Sequence, residues 1–99
     1  MKARKKSSTI PWSTVRNRVL QDPETASEYL RLSVDDEEDF IAALRHVAEA
    51  QGIGKVAARA KLPRESVSRM LSRKGNPRLG SLMALLRGMK LSLRIEEGH

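Results

Sequence analysis

Cysteine is absent from the 99 residues. That excludes disulfides, thiolate zinc sites and a cysteine nucleophile, and it fits a cytoplasmic setting. Aromatic residues number three, Trp12, Tyr29 and Phe40, so the core of this one small domain must come from Leu, Val, Ala and Met. No window holds 18 apolar residues, which excludes a membrane-spanning helix. The basic N-terminus is followed by no apolar segment, which argues against a secretory signal. Histidine occurs only at 46 and 99, with no third ligand at a suitable spacing, so neither a metal nor another cofactor is expected. Ser66 follows Glu65 but has no histidine base to activate it. Gly52-Ile53-Gly54-Lys55 lacks the spacing and the preceding strand of a phosphate loop. An enzyme is therefore not expected.

What is abundant is charge, and it is unevenly spread. The net charge is +7. Residues 1–20 carry six bases and no acid, residues 21–40 eight acids and one base, and residues 41–99 twelve bases and four acids. Two basic blocks around an acidic one imply a polyanionic partner and a second, basic one.

Hydrophobic spacing divides the chain into short helices. Residues 1–11 form a basic arm with no apolar face, expected to be flexible. Residues 12–35 form an N-terminal helical segment. Trp12, Val15 and Val19 stand at helical spacing, and Asp22-Pro23-Glu24 reads as a helix start with Asp as cap and Pro in the first turn. Residues 36–97 form the main domain. Phe40, Ile41, Leu44, Val47 and Ala48 make one stripe, with Arg45, His46 and Glu49 opposite. Gly52 suits a left-handed helix end. Val56, Ala57 and Ala60 mark a second helix, and Val67, Met70 and Leu71 a third over 64–73. Lys74-Gly75-Asn76-Pro77 is a break, since Gly and Asn tolerate positive φ and Pro blocks helix continuation. Leu82, Leu85, Leu86 and Met89 mark a helix over 79–89. Leu91, Leu93 and Ile95 then alternate with polar residues as in a strand, which needs a partner, most simply its own copy in a homodimer.

The helix, three-residue turn and helix at 54–73 match a helix-turn-helix. At 100° per residue, Val67, Met70 and Leu71 share one side of the second helix, and Glu65, Ser68, Arg69 and Ser72 the other. An α-helix fits the major groove of DNA, where Arg bonds guanine, Glu accepts from cytosine and Ser is permissive. The expected base-reading residues are Arg64, Glu65, Ser66, Ser68 and Arg69. Lys55, Arg73, Lys74, Asn76 and Arg78 are expected on phosphates, fixing register without reading sequence. A small helical bundle with a solvated basic face is the competing reading.

Several stretches resemble one family. They are Asp22-Pro23-Glu24 with Glu28-Tyr29-Leu30, Phe40 to Ala48, Arg64 to Ser72, and Gly75-Asn76-Pro77-Arg78. Together they resemble the addiction-module antidote proteins, HigA-like antitoxins with a lambda-repressor/Cro-type (XRE) helix-turn-helix. The resemblance covers roughly residues 12–97. It implies an all-α, lambda-repressor-like bundle of about five helices, with a short C-terminal strand pairing in a dimer. It also implies an antitoxin that neutralises a small basic RelE/HigB-like ribonuclease toxin and represses its own operon by binding operator DNA. Pro63 stands where relatives usually carry a capping oxygen, a loss of about 1 kcal/mol. A stand-alone repressor without a toxin, and a protein-interaction module that has lost DNA binding, fit the same residues less fully.

Two further features have a structural and a functional reading. The run Asp35 to Asp39 either stabilises a helix N-terminus through the helix dipole or meets the basic toxin. Its charge should place it away from the DNA-reading helix. Trp12, Val15 and Val19 either pack on the domain or, with Asp35 and Asp36, dock on the toxin.

Overall fold

A computed structural model describes residues 11–98. Almost all of the expected basic arm, residues 1–10, and the terminal His99 lie outside the described residues. Among the described residues six helices follow in order: α1 (Trp12–Val19), α2 (Pro23–Ser33), α3 (Glu37–Gln51), α4 (Ile53–Ala60), α5 (Arg64–Met70) and α6 (Leu79–Gly88). The count exceeds the expected five because the basic stretch before residue 20 is itself a helix.

Local chemistry sets most of the boundaries. The Asp22 carboxylate accepts from the Thr25 amide at 3.0 Å and from its hydroxyl at 2.9 Å, and Pro23 opens α2. Asp36 caps α3 by accepting from the Asp39 amide at 2.9 Å. Gly52, at φ 97°, both ends α3 and begins α4. Few residues other than glycine tolerate that backbone. Lys61 closes α4 in the left-handed region at φ 59°, while the Leu62 amide reaches back to the Ala57 carbonyl at 3.0 Å.

One continuous core joins the helices. Its largest fully buried side chains are Leu20, Leu44, Leu71, Leu85, Met89, Val47, Val56 and Val67. Both α1 and α2 lie on α3, and α4 packs against α3, α5 and α6. The end of α6 approaches α4 closely, since a Cβ on Gly88 would stand 2.6 Å from the Val56 carbonyl oxygen and 3.0 Å from the Ala60 Cβ.

Two expectations need correction. The second helix of the 54–73 region stops at Met70, short of 73. Ser72 takes over the Arg69 carbonyl with both its amide, at 3.2 Å, and its hydroxyl, at 2.8 Å, which diverts the chain from the helix. Gly75 does not use positive φ. It is required by close approach, because a Cβ there would lie 1.9 Å from the Met70 carbonyl oxygen. Residues 91–98 form no strand in the single chain. Nothing beside them among the described residues offers a ladder to pair with. Leu91 packs on the core, whereas Leu93 and Ile95 are exposed.

Candidate nucleic-acid interface

The amphipathic character of α5 holds in three dimensions. Val67 is fully buried, and Leu71, which caps the helix, is nearly so. Arg64, Glu65, Ser68 and Arg69 are exposed, and Ser66 is half-buried at the flank. Pro63 is the N-cap and supplies no side-chain hydrogen bond. The first-turn amides of α5 therefore point outward without a side-chain partner.

The five expected phosphate contacts are all exposed. Lys55 lies in the first turn of α4, whose N-cap Gly52 has no side chain to satisfy the free amides. Arg73, Lys74 and Asn76 lie in the segment after α5, and Arg78 is the N-cap of α6. None of these cations is held in an ion pair among the described residues. The one ion pair among the described residues is Arg31 with Glu28, at 3.0 Å.

The acidic run lines no part of α5 but comes close to the segment after it. Asp36, Glu37, Glu38 and Ile41 line an open groove of about 500 Å³ together with Arg73, Lys74 and Gly75. Asp36 itself is committed to capping α3. Asp35 is exposed beside it.

Sequence spacing also missed the side chains that hold this surface in place. Arg45 and His46, expected on a solvated face, are both half-buried. Arg45 Nη1 donates to the Leu71 carbonyl at 2.7 Å, tying α3 to the end of α5. Arg59 Nη1 donates to the Gly88 carbonyl at 2.8 Å, and Gln51 Nε2 to that of Met89 at 3.2 Å. Both acceptors lie at the C-terminus of α6, far away in sequence, so no local pattern announced them. His46 Nδ1 lies 2.7 Å from the Tyr29 hydroxyl of α2. Burial holds the His46 pKa below its usual 6.5, with Arg16 and Arg45 acting in the same direction and Glu49 against them.

The first helix is turned opposite to ordinary packing. Trp12 is 71% exposed, and Val15 and Val19 also face outward. Arg16 and Asn17 are half-buried instead, and the Arg16 Nε and Asn17 Oδ1 atoms have no hydrogen-bond partner among the described residues. The expectation that Trp12, Val15 and Val19 pack on the domain is therefore corrected.

Among the described residues no group of three His, Asp or Glu side chains could hold a metal, and no helix is long and apolar enough to cross a membrane. No curated protein and no solved structure matched the chain. Residues 15–97, most of its length, match a family model described as "probable addiction module antidote protein". The chain therefore belongs to the addiction-module antidote family, whose members serve as the antitoxin of a toxin–antitoxin system.

Proposed function

We propose that this antitoxin represses its own operon by inserting α5 into the major groove of operator DNA, and that it neutralises a RelE/HigB-like ribonuclease toxin. The outward face of α5 carries the reading. Arg64, Glu65, Ser68 and Arg69 are free to contact bases while Val67 anchors the opposite side in the core. Helices α4 and α5, with the turn Lys61–Pro63 between them, then act as a helix-turn-helix of the lambda-repressor type. Lys55, Arg73, Lys74, Asn76 and Arg78 hold the backbone on either side, and Ser66 sits at the edge of the base-reading face.

The protein acts as a cytoplasmic homodimer in this reading. The tail supplies the contact: Leu93 and Ile95 are exposed on either side of Arg94, and they gain a ladder partner only from a second copy. Such a dimer reads two half-sites about 34 Å apart. The toxin docks on Trp12, Val15 and Val19 of α1, with Asp35 and Asp36 offering charge to its basic surface. The exposed tryptophan supports this assignment, since a large aromatic at the centre of a patch is a common anchor of protein interfaces.

A gel shift with the DNA upstream of the operon tests the repressor role. About six to eight phosphate contacts give a slope of roughly −5 to −7 in log affinity against log salt. Folded protein that shifts no DNA at low salt would leave an interaction module. Co-purification with the product of a small, basic neighbouring reading frame tests the toxin, and a DNA shift without such a partner would mean a stand-alone repressor.

A further inference from the structure

We infer that the acidic start of α3 is a built-in restraint on the DNA-binding loop, screening Arg73 and Lys74 so that the antitoxin grips phosphate less tightly than its cations alone would. The inference rests on the DNA-binding reading above and concerns the strength of that same site.

Three observations carry it. Glu37, Glu38, Arg73 and Lys74 line one open groove of about 500 Å³. The two segments are fixed relative to each other, because Arg45 on α3 bonds the Leu71 carbonyl at 2.7 Å and Gly75 is packed against the Met70 backbone. Finally, the charges are apposed without closing into an ion pair, since no such pair joins them among the described residues. An ion pair would lock the two cations away from DNA. Apposition across water leaves them available and lowers the local positive potential. A groove of this volume is about 8 Å across, comparable with the Debye length of about 8 Å at physiological salt, so charges that line it still feel each other.

Asp36 is needed as the α3 cap, so it cannot serve as the probe. Glu37 and Glu38 can, because neither side chain caps the helix. Asp35 and Asp39 belong to the same acidic run but do not line the groove, so they provide a control matched in charge.

The test measures binding of the full chain to an operator duplex and to a random duplex at about 50 mM salt. The double variant Glu37→Gln/Glu38→Gln should bind both duplexes about 3- to 10-fold more tightly, leaving their ratio unchanged, because phosphate contacts are blind to sequence. Asp35→Asn/Asp39→Asn should gain less than about 2-fold. In a background carrying Arg73→Gln and Lys74→Gln, the gain from the glutamate changes should vanish. Equal gains from the two acidic pairs would reduce the effect to net charge and overturn the inference, as would a gain that survives without Arg73 and Lys74. Should the double variant melt early, the single changes Glu37→Gln and Glu38→Gln carry the same comparison. Elution from immobilised heparin decides the case even if no duplex is bound. Later elution of the glutamate variant than of the aspartate control supports the restraint, and co-elution refutes it, while absence of duplex binding alone counts against the operator reading.

Discussion

The Arg45 guanidinium reaches across 26 residues of sequence to the carbonyl of Leu71, at 2.7 Å. Leu71 closes α5, and its side chain is buried in the core. A charged donor thus fixes the C-terminal end of the helix that faces outward with Arg64 and Arg69. Replacing Arg45 by Met keeps the aliphatic bulk and leaves that carbonyl without its partner. The expected loss is about 1–3 kcal/mol in urea unfolding, with weaker binding to specific and random DNA alike. An unchanged unfolding midpoint would show the bond to be dispensable.

The burial of His46 makes stability depend on pH. Burial lowers the His46 pKa in the folded chain, with help from Arg16 and Arg45. The unfolded chain then takes up a proton that the folded one refuses, so the stabilisation is complete above about pH 6.5 and is lost as pH falls towards the lowered folded value. Urea midpoints should therefore decline between about pH 7 and pH 5.5. The His46→Gln variant should flatten that decline, and an identical pH profile in the variant would assign it to other groups.

Gly88 and Gly80 lie in the same helix and should respond in opposite ways. A Cβ at Gly88 meets the Val56 carbonyl oxygen at 2.6 Å, whereas one at Gly80 meets nothing within 4 Å. Gly88→Ala should cost about 1–3 kcal/mol by forcing α6 away from α4. Gly80→Ala should stabilise by about 0.5–1 kcal/mol through the loss of unfolded-state freedom. Thermal melts of both variants check the pair.

Arg69 and Lys74 should separate base reading from phosphate holding. Arg69→Ala is expected to cost about 1–3 kcal/mol on the operator and much less on random DNA, relaxing preference at one base position. Lys74→Ala should weaken every duplex equally and reduce the salt slope by about 1. Matching effects of the two variants on both kinds of DNA would show the roles to be misassigned.

Trp12→Ala should leave folding almost untouched, within about 0.5 kcal/mol, because the side chain is 71% exposed. The same change should sharply reduce co-purification with the toxin. A large drop in the melting midpoint would instead mark Trp12 as part of the fold.

Helix positions were legible in the sequence because periodicity and caps are local. Asp22-Pro23 opens α2, Gly52 ends α3, and Val56, Ala57, Ala60 and Val67 all face the core as their spacing requires. The outward side of α5 followed from the same rule. What spacing could not show depends on partners distant in the chain. Arg45 and His46 looked solvated on their own helix and became half-buried only when α5 and α2 closed over them. The proximity of the acidic run to Arg73 and Lys74 likewise arises from how α3 lies beside the end of α5. The direction of the α1 stripe was ambiguous because amphipathic spacing says which residues share a face but not where that face points. The tail pattern of Leu91, Leu93 and Ile95 is a strand pattern that one chain cannot complete.

Gly52 is the whole of the join between α3 and α4. With no slack there, α3 and α4 behave as a single bent lever. One inserted residue there would reset the angle between α3 and α4, parting Arg45 from Leu71. The length of that joint, more than the identity of the side chains near it, keeps the N-terminal helices and the α4–α6 half in a common frame.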